Sequence, residues 1–146
     1  MIYRISSMKL VTERINSMHI LTDTNILFSA LLFPNSKPAM ALLHVVTHHT
    51  LVLCDINTFE LMDIVNRKIP NRLSDAKAFL QELNYELITA DFHTECKIRD
   101  KKDQPILNAA ITNNVDIIIT GDKDFLNLKF DKPKCLTAAE YLNLNL

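Results

Sequence analysis

The chain has 146 residues, 48% of them hydrophobic and 23% charged, which is enough apolar material for one domain with a real core. Sixteen basic and seventeen acidic side chains leave a formal net charge of −1, so no global field draws in a polyanion, and any nucleic-acid contact must come from a local patch. The only glycine is Gly121, which excludes a P-loop and a glycine-rich dinucleotide site, because both need several glycines where backbone meets phosphate.

Taken in chain order, residues 1–17 (MIYRISSMKLVTERINS) carry Arg4, Lys9, Glu13 and Arg14 and therefore lack an uninterrupted signal-peptide core. They read as a peripheral extension ahead of a single domain over 18–146, with Met18 offering an alternative translation start. Short apolar β-type runs are expected near 18–23, 51–55, 86–89, 116–120 and, more weakly, 134–136. Helical patterns fall between and after them, near 25–32, 38–49, 58–67, 74–84, 104–114 and 137–143. Local start signals are Ser36 before Lys37-Pro38, Ser74 before DAKAFLQEL, and the capping box Thr137-x-x-Glu140. Alternating strands and helices predict an α/β domain around a mainly parallel sheet. No apolar run reaches membrane-spanning length. Cys54, Cys96 and Cys135 are odd in number, widely spaced and without a Cys-x-x-Cys, which favours a reducing cytoplasm and small apolar roles over a disulfide framework.

Four acids fall where such a sheet binds ligands, beyond the carboxyl ends of its strands. Asp23 ends the first strand, Glu60 opens the helix after the second, Asp103 opens the helix before the fourth, and Asp122 follows IIIT directly. Each also has a local reading. Asp23 and Asp103 suit helix N-caps, Asn57-x-x-Glu60 suits a capping box, and TGDKD is an ordinary turn composition. Taken jointly, however, the four would repel one another at one rim, and a divalent cation removes that conflict. All-oxygen ligation suits Mg²⁺ or Mn²⁺, whose natural chemistry with phosphate is phosphodiester hydrolysis.

The run LTDTNIL, followed by TFELMDIVNR, RDKKDQPILNAA and IIITGDKDFL, resembles in order and spacing the four acidic motifs of PIN domains. The nearest likeness is to the toxin components of toxin–antitoxin pairs. The resemblance spans residues 18 to about 142. It implies a three-layer α/β/α sandwich, a Mg²⁺- or Mn²⁺-dependent ribonuclease, a cognate antitoxin and a possible homodimer. On that resemblance Asp23, Glu60, Asp103 and Asp122 are the catalytic, metal-binding carboxylates, and Asn25 and Thr120 support them. Asp100 and Asp124 are further acids of the same stretches, and Asp63 stands one helical turn after Glu60. One departure is RDKKD, where Lys101 and Lys102 occupy a segment that is often more acidic in relatives.

Arg67, Lys68 and Arg72 follow the Glu60 helix, Arg99, Lys101 and Lys102 precede Asp103, and Lys123 adjoins Asp122. These seven are the candidates for RNA phosphate contacts, with a mixed solvated surface as the alternative. His44 and His48 are four apart but lack the Glu of H-E-x-x-H, so with His49 they read as residues of a helix end rather than zinc ligands. An aspartyl phosphatase would need a second Asp where Asn25 stands, and a phosphoacceptor receiver would need an acidic pair beside the first strand. A domain that binds RNA or a partner without turnover is the remaining alternative.

Overall fold

Five strands, each three to five residues long, form one parallel sheet among the residues that this computed structural model describes, 17–92 and 103–144. They are β1 (His19–Thr22), β2 (Thr50–Cys54), β3 (Glu86–Ile88), β4 (Ile117–Ile119) and β5 (Lys134–Leu136), in the order β3-β2-β1-β4-β5. Each of the five expected strand positions is occupied. Among the described residues seven α-helices accompany them: α1 (Thr24–Leu32), α2 (Lys37–His48), α3 (Asp55–Lys68), α4 (Leu73–Glu82), α5 (Gln104–Thr112), α6 (Lys123–Leu126) and α7 (Ala138–Leu142).

Strand alternation divides the core into two. Ile20, Leu51, Leu53, Ile117 and Ile119 face one layer, where they pack with α1, α2, α3, α4 and α7. Leu21, Val52, Cys54 and Ile118 face the other, against Ile106, Leu107, Ala109 and Ala110 of α5 and Phe125 of α6. The period-2 exchange of side chains across the pleat thus yields a three-layer α/β/α sandwich. Both faces of β2 are covered, which is why TLVLC is buried throughout instead of alternating with polar residues. Each such Leu or Ile contributes about 1.5–3 kcal/mol on burial.

The chain moves outward from β1 to β2 and β3, then crosses back to place β4 on the other side of β1. A crevice opens at that reversal, beyond the carboxyl ends of β1 and β4. Thr22 pairs with Ile119 in register, so the next residues, Asp23 and Thr120, emerge side by side at the mouth of the crevice.

Helix ends explain most of the boundaries. The Ser36 side chain accepts from the Ala39 N–H at 3.3 Å, and the Thr137–Glu140 box is complete, with both bonds at 3.0 Å. Hydrogen bonds from the Thr137 backbone N–H and side chain hold the Glu140 carboxyl below its ordinary range. At the end of α5, Asn114 takes φ 55° where glycine is usual. There Val115 N–H bonds the Ala110 carbonyl and Asn114 N–H that of Ile111, a Schellman closure that asparagine tolerates.

Three expectations need correction. Ser74 does not cap α4, because a 3₁₀ turn over Pro70–Arg72 runs straight into the helix and Leu73 N–H already bonds the Pro70 carbonyl. The third helix begins at Asp55, three residues before the expected start, because Asp55 Oδ1 accepts from both Ile56 N–H (2.8 Å) and Ala90 N–H (2.9 Å). The short α6 was concealed in TGDKD, whose turn-forming composition masks one helical turn. Among the described residues no single helix is long and apolar enough to cross a membrane.

Candidate functional site

The crevice is a cleft of about 360 Å³ walled by the starts of three helices and by one face of α3 along most of its length. From α1 and its cap come Asp23, Thr24 and Asn25; from α3 come Asn57, Glu60, Asp63, Ile64 and Arg67. Asp103 and Ile106 of α5, with Asp122 and Phe125 of α6, close the remaining side. All four acids marked in the sequence, and Asn25, therefore line one cavity.

Asp23 is the most constrained of them, at 9% exposure. Its Oδ1 accepts from Ile26 N–H at 3.0 Å and so caps α1, while Oδ2 accepts from the Thr120 hydroxyl. Capping and presentation to the cleft are thus the same geometry, and the two readings of this residue do not exclude one another. Burial pushes the Asp23 carboxyl above its ordinary range; the bonds from Thr120 and Ile26 oppose the rise and the charge of Asp122 adds to it.

Thr120 links two acids. Its Oγ1 also accepts from Asp122 N–H at 3.0 Å, and Asp122 Oδ1 in turn accepts from Asp124 N–H at 2.8 Å, starting α6. Asp124 reaches the site through its backbone and is not part of the cleft wall.

Glu60 does not cap α3. With the helix starting at Asp55, it stands in the second turn, exposed and facing the cleft. Asn57 is buried at 2% exposure, its Nδ2 donating to Thr24 Oγ1 at 3.1 Å. Asp103 occupies the cap position of α5 without a side-chain capping bond; its backbone carbonyl accepts from Ile106 and Leu107 instead.

The basic candidates separate. Arg67 lines the cleft and pairs with Asp63 at 3.0 Å, whereas Arg72 pairs with Asp75 at 2.7 Å outside it. Lys68 and Lys123 are exposed and do not line the cavity. Arg99, Asp100, Lys101 and Lys102 lie outside the described residues. His44, His48 and His49 sit elsewhere, in the second half of α2 and at its end, with His44 Nδ1 and the Tyr141 hydroxyl 2.6 Å apart and His49 Nδ1 accepting from Met18 N–H at 3.1 Å.

Thr24 was not singled out from sequence, and Asn57 only as the capping-box partner of Glu60. The signal for Asn57 was present, since Asn57, Glu60, Ile64 and Arg67 recur at three- and four-residue spacing, the stripe of one helix face.

The sequence matches the PIN domain family over residues 19–124. The chain belongs to the PIN domain family. PIN domains are generally nucleases and typically use divalent metals. Solved structures also match this PIN domain, one being the crystal structure of VapBC2 from Rickettsia felis bound to a DNA fragment from their promoter. A chain of that structure is 18% identical, with a TM-score of 0.61, over 82% of this chain and 97% of that one. No curated protein matches the sequence.

The donors fit a hard cation in kind, being oxygen only, on three sides of one cleft whose lining cation among the described residues, Arg67, is engaged by Asp63. They do not converge: among the described residues no three acidic, histidine or cysteine side chains come close enough to hold one ion together. A hydrated ion that keeps several waters tolerates such spacing, because it reaches some carboxylates through its water shell.

Proposed function

We propose that this PIN domain is a metal-dependent endoribonuclease, the toxin of a toxin–antitoxin pair. The observation that carries the reading is the lining of one cleft, at the reversal point of a parallel sheet, by Asp23, Glu60, Asp103 and Asp122. These four would hold Mg²⁺ or Mn²⁺. Bound there, such an ion would supply a water of lowered pKa and charge stabilisation at an RNA phosphate, chemistry whose products would carry 5′-phosphate and 3′-hydroxyl ends.

The protein's own residues supply position. Thr120 and the Ile26 N–H fix both oxygens of Asp23, and the Asp124 N–H fixes Asp122, so neither carboxylate reorganises when the substrate arrives. Arg67, at the cleft wall, is placed to contact RNA phosphate by exchanging its exposed bond to Asp63. Lys68, Arg72, Arg99, Lys101, Lys102 and Lys123 extend the candidate basic surface, and Asn25, Asp100 and Asp124 complete the supporting set. Single-stranded or looped RNA suits an open cleft of this kind, because its backbone and bases are accessible.

The VapBC2 likeness supports a protein antitoxin as partner. A homodimer, a cytoplasmic location and a division into a peripheral 1–17 extension and one domain over 18–146 belong to the same reading; the family match starting at residue 19 supports that division. A second reading, an RNA- or partner-binding domain without turnover, draws on the separation of the acids. Incubation with single-stranded RNA and Mn²⁺, with mapping of product ends, decides between them. Cleavage leaving 5′-phosphates is expected, and RNA that is bound but left intact would overturn the catalytic reading.

A further inference from the structure

Asn57 is the third residue of α3 and lies on the cleft wall with only 2% of its surface exposed. Its Nδ2 donates to Oγ1 of Thr24, the first residue of α1, at 3.1 Å. Its Oδ1 is equally buried and has no hydrogen-bond partner among the described residues. A buried amide oxygen to which no described residue donates is uncommon, and it points to a donor such as an ordered water or a bound ligand.

The cleft narrows what that donor is. Asp23 and Glu60 offer only acceptors when ionised, and the donors that line the cleft, Asn25 and Arg67 among them, do not bond Oδ1. The donor must therefore be one that an acidic cleft attracts and that carries strongly polarised O–H groups. A water in the shell of a divalent cation meets both conditions.

We infer that Asn57 is a positioning residue of this site: Oδ1 accepts a hydrogen bond from a water of the divalent cation and fixes where that cation sits between α1 and α3. The inference rests on the metal-binding reading of the cleft. The bond from Nδ2 to Thr24 joins the two helices and leaves the amide oxygen, on the other arm of the same side chain, available to the ion's water.

The test is titration of the purified, chelator-stripped full chain with Mn²⁺ alone, read by calorimetry or by the Mn²⁺ resonance. Asn57→Leu, close in size and apolar, is expected to weaken Mn²⁺ binding by about 10-fold or more, as loss of a partner that orients metal ligands or waters commonly does. Thr24→Val, which breaks the same helix–helix bond but keeps Oδ1, is expected to stay within about 2-fold of wild type. Asn57→Asp, with oxygen at both positions, keeps or raises the affinity. If Leu at this position prevents folding, Asn57→Ser, too short to put its oxygen where Oδ1 lies, gives the same loss. Equal weakening by Asn57→Leu and Thr24→Val would show that Asn57 only joins the helices, and weakening by Asn57→Asp would show that its oxygen is not what matters. Unchanged binding in Asn57→Leu, with binding lost in Asp23→Asn, would overturn this inference and leave the metal site standing. A wild-type chain that takes up no Mn²⁺ would overturn both.

Discussion

Thr120, at the end of β4, donates its hydroxyl hydrogen to Asp23 at the end of β1 and accepts from the Asp122 N–H at 3.0 Å. One buried hydroxyl therefore ties together the two acids that flank the point where the sheet reverses. Thr120→Val would strip a donor from Asp23 and leave the Asp122 N–H without its acceptor, at a cost of about 1–3 kcal/mol. Thr120→Ser should restore most of it. Urea denaturation of the three proteins measures the stability, and metal-dependent cleavage is expected to fall about 10–100-fold in the Val variant alone.

Asp23 contributes a pH dependence to the stability of the metal-free protein. Its carboxyl is raised, mainly by burial, so the folded state binds its proton more tightly than the unfolded chain does. The stabilising effect is complete below the ordinary carboxylate pKa of 3.8 and is lost as pH rises through the higher folded-state value. In chelator, Asp23→Asn keeps the cap on α1, loses this penalty and should melt higher at neutral pH, by roughly 3 °C if the gain is about 1 kcal/mol. Melting curves across pH in chelator check it: the variant should lie above wild type at pH 7 and approach it in acid, and a lower midpoint at pH 7 would count against the assignment.

Arg67 and Asp63 form an exposed pair on α3, so Arg67→Ala should cost less than about 1 kcal/mol of stability. Its effect on RNA should be larger. Binding is expected to weaken and the salt slope of log K to fall by about 1, the signature of one lost phosphate contact. Lys77→Ala, on the exposed face of α4 away from the cleft, is the control. Identical salt slopes for Arg67→Ala and wild type would remove Arg67 from the RNA surface.

Burial pushes the Cys54 and Cys135 thiols up to about 11, so neither forms much thiolate at neutral pH. In native protein at pH 8 both should resist a thiol-directed reagent and react only on unfolding. Peptide mapping after timed labelling reads this directly; rapid native labelling of either would show that its packing opens.

The strands were legible because short β-branched and leucine runs separated by helical patterns have few other solutions, and Ile20, Leu53 and Ile118 are fully buried as such runs require. The four acids were legible for a related reason: strand ends and helix starts fall on one side of a parallel sheet. What stayed hidden depended on contacts far apart in sequence. The start of α3 is set by Asp55 reaching Ala90, 35 residues away, and no local signal reports that bond. Asn57 fitted a capping box with Glu60 and instead became a buried link to Thr24, 33 residues earlier, because the helix began sooner than its local signals suggested. Whether Arg67 faced the cleft depended on that same helix phase.

The central claim is that the acid-lined cleft hydrolyses RNA with a divalent metal, and the most direct measurement compares cleavage of one single-stranded RNA by wild type, Asp23→Asn and Asp122→Asn. Each folded protein is assayed in Mg²⁺, in Mn²⁺ and in chelator, with circular dichroism confirming the fold. Cleavage is expected from wild type in metal and absent in chelator, and it should be lost in both variants. Wild-type rates in Asp23→Asn and Asp122→Asn, or cleavage that persists undiminished in chelator, would contradict the account.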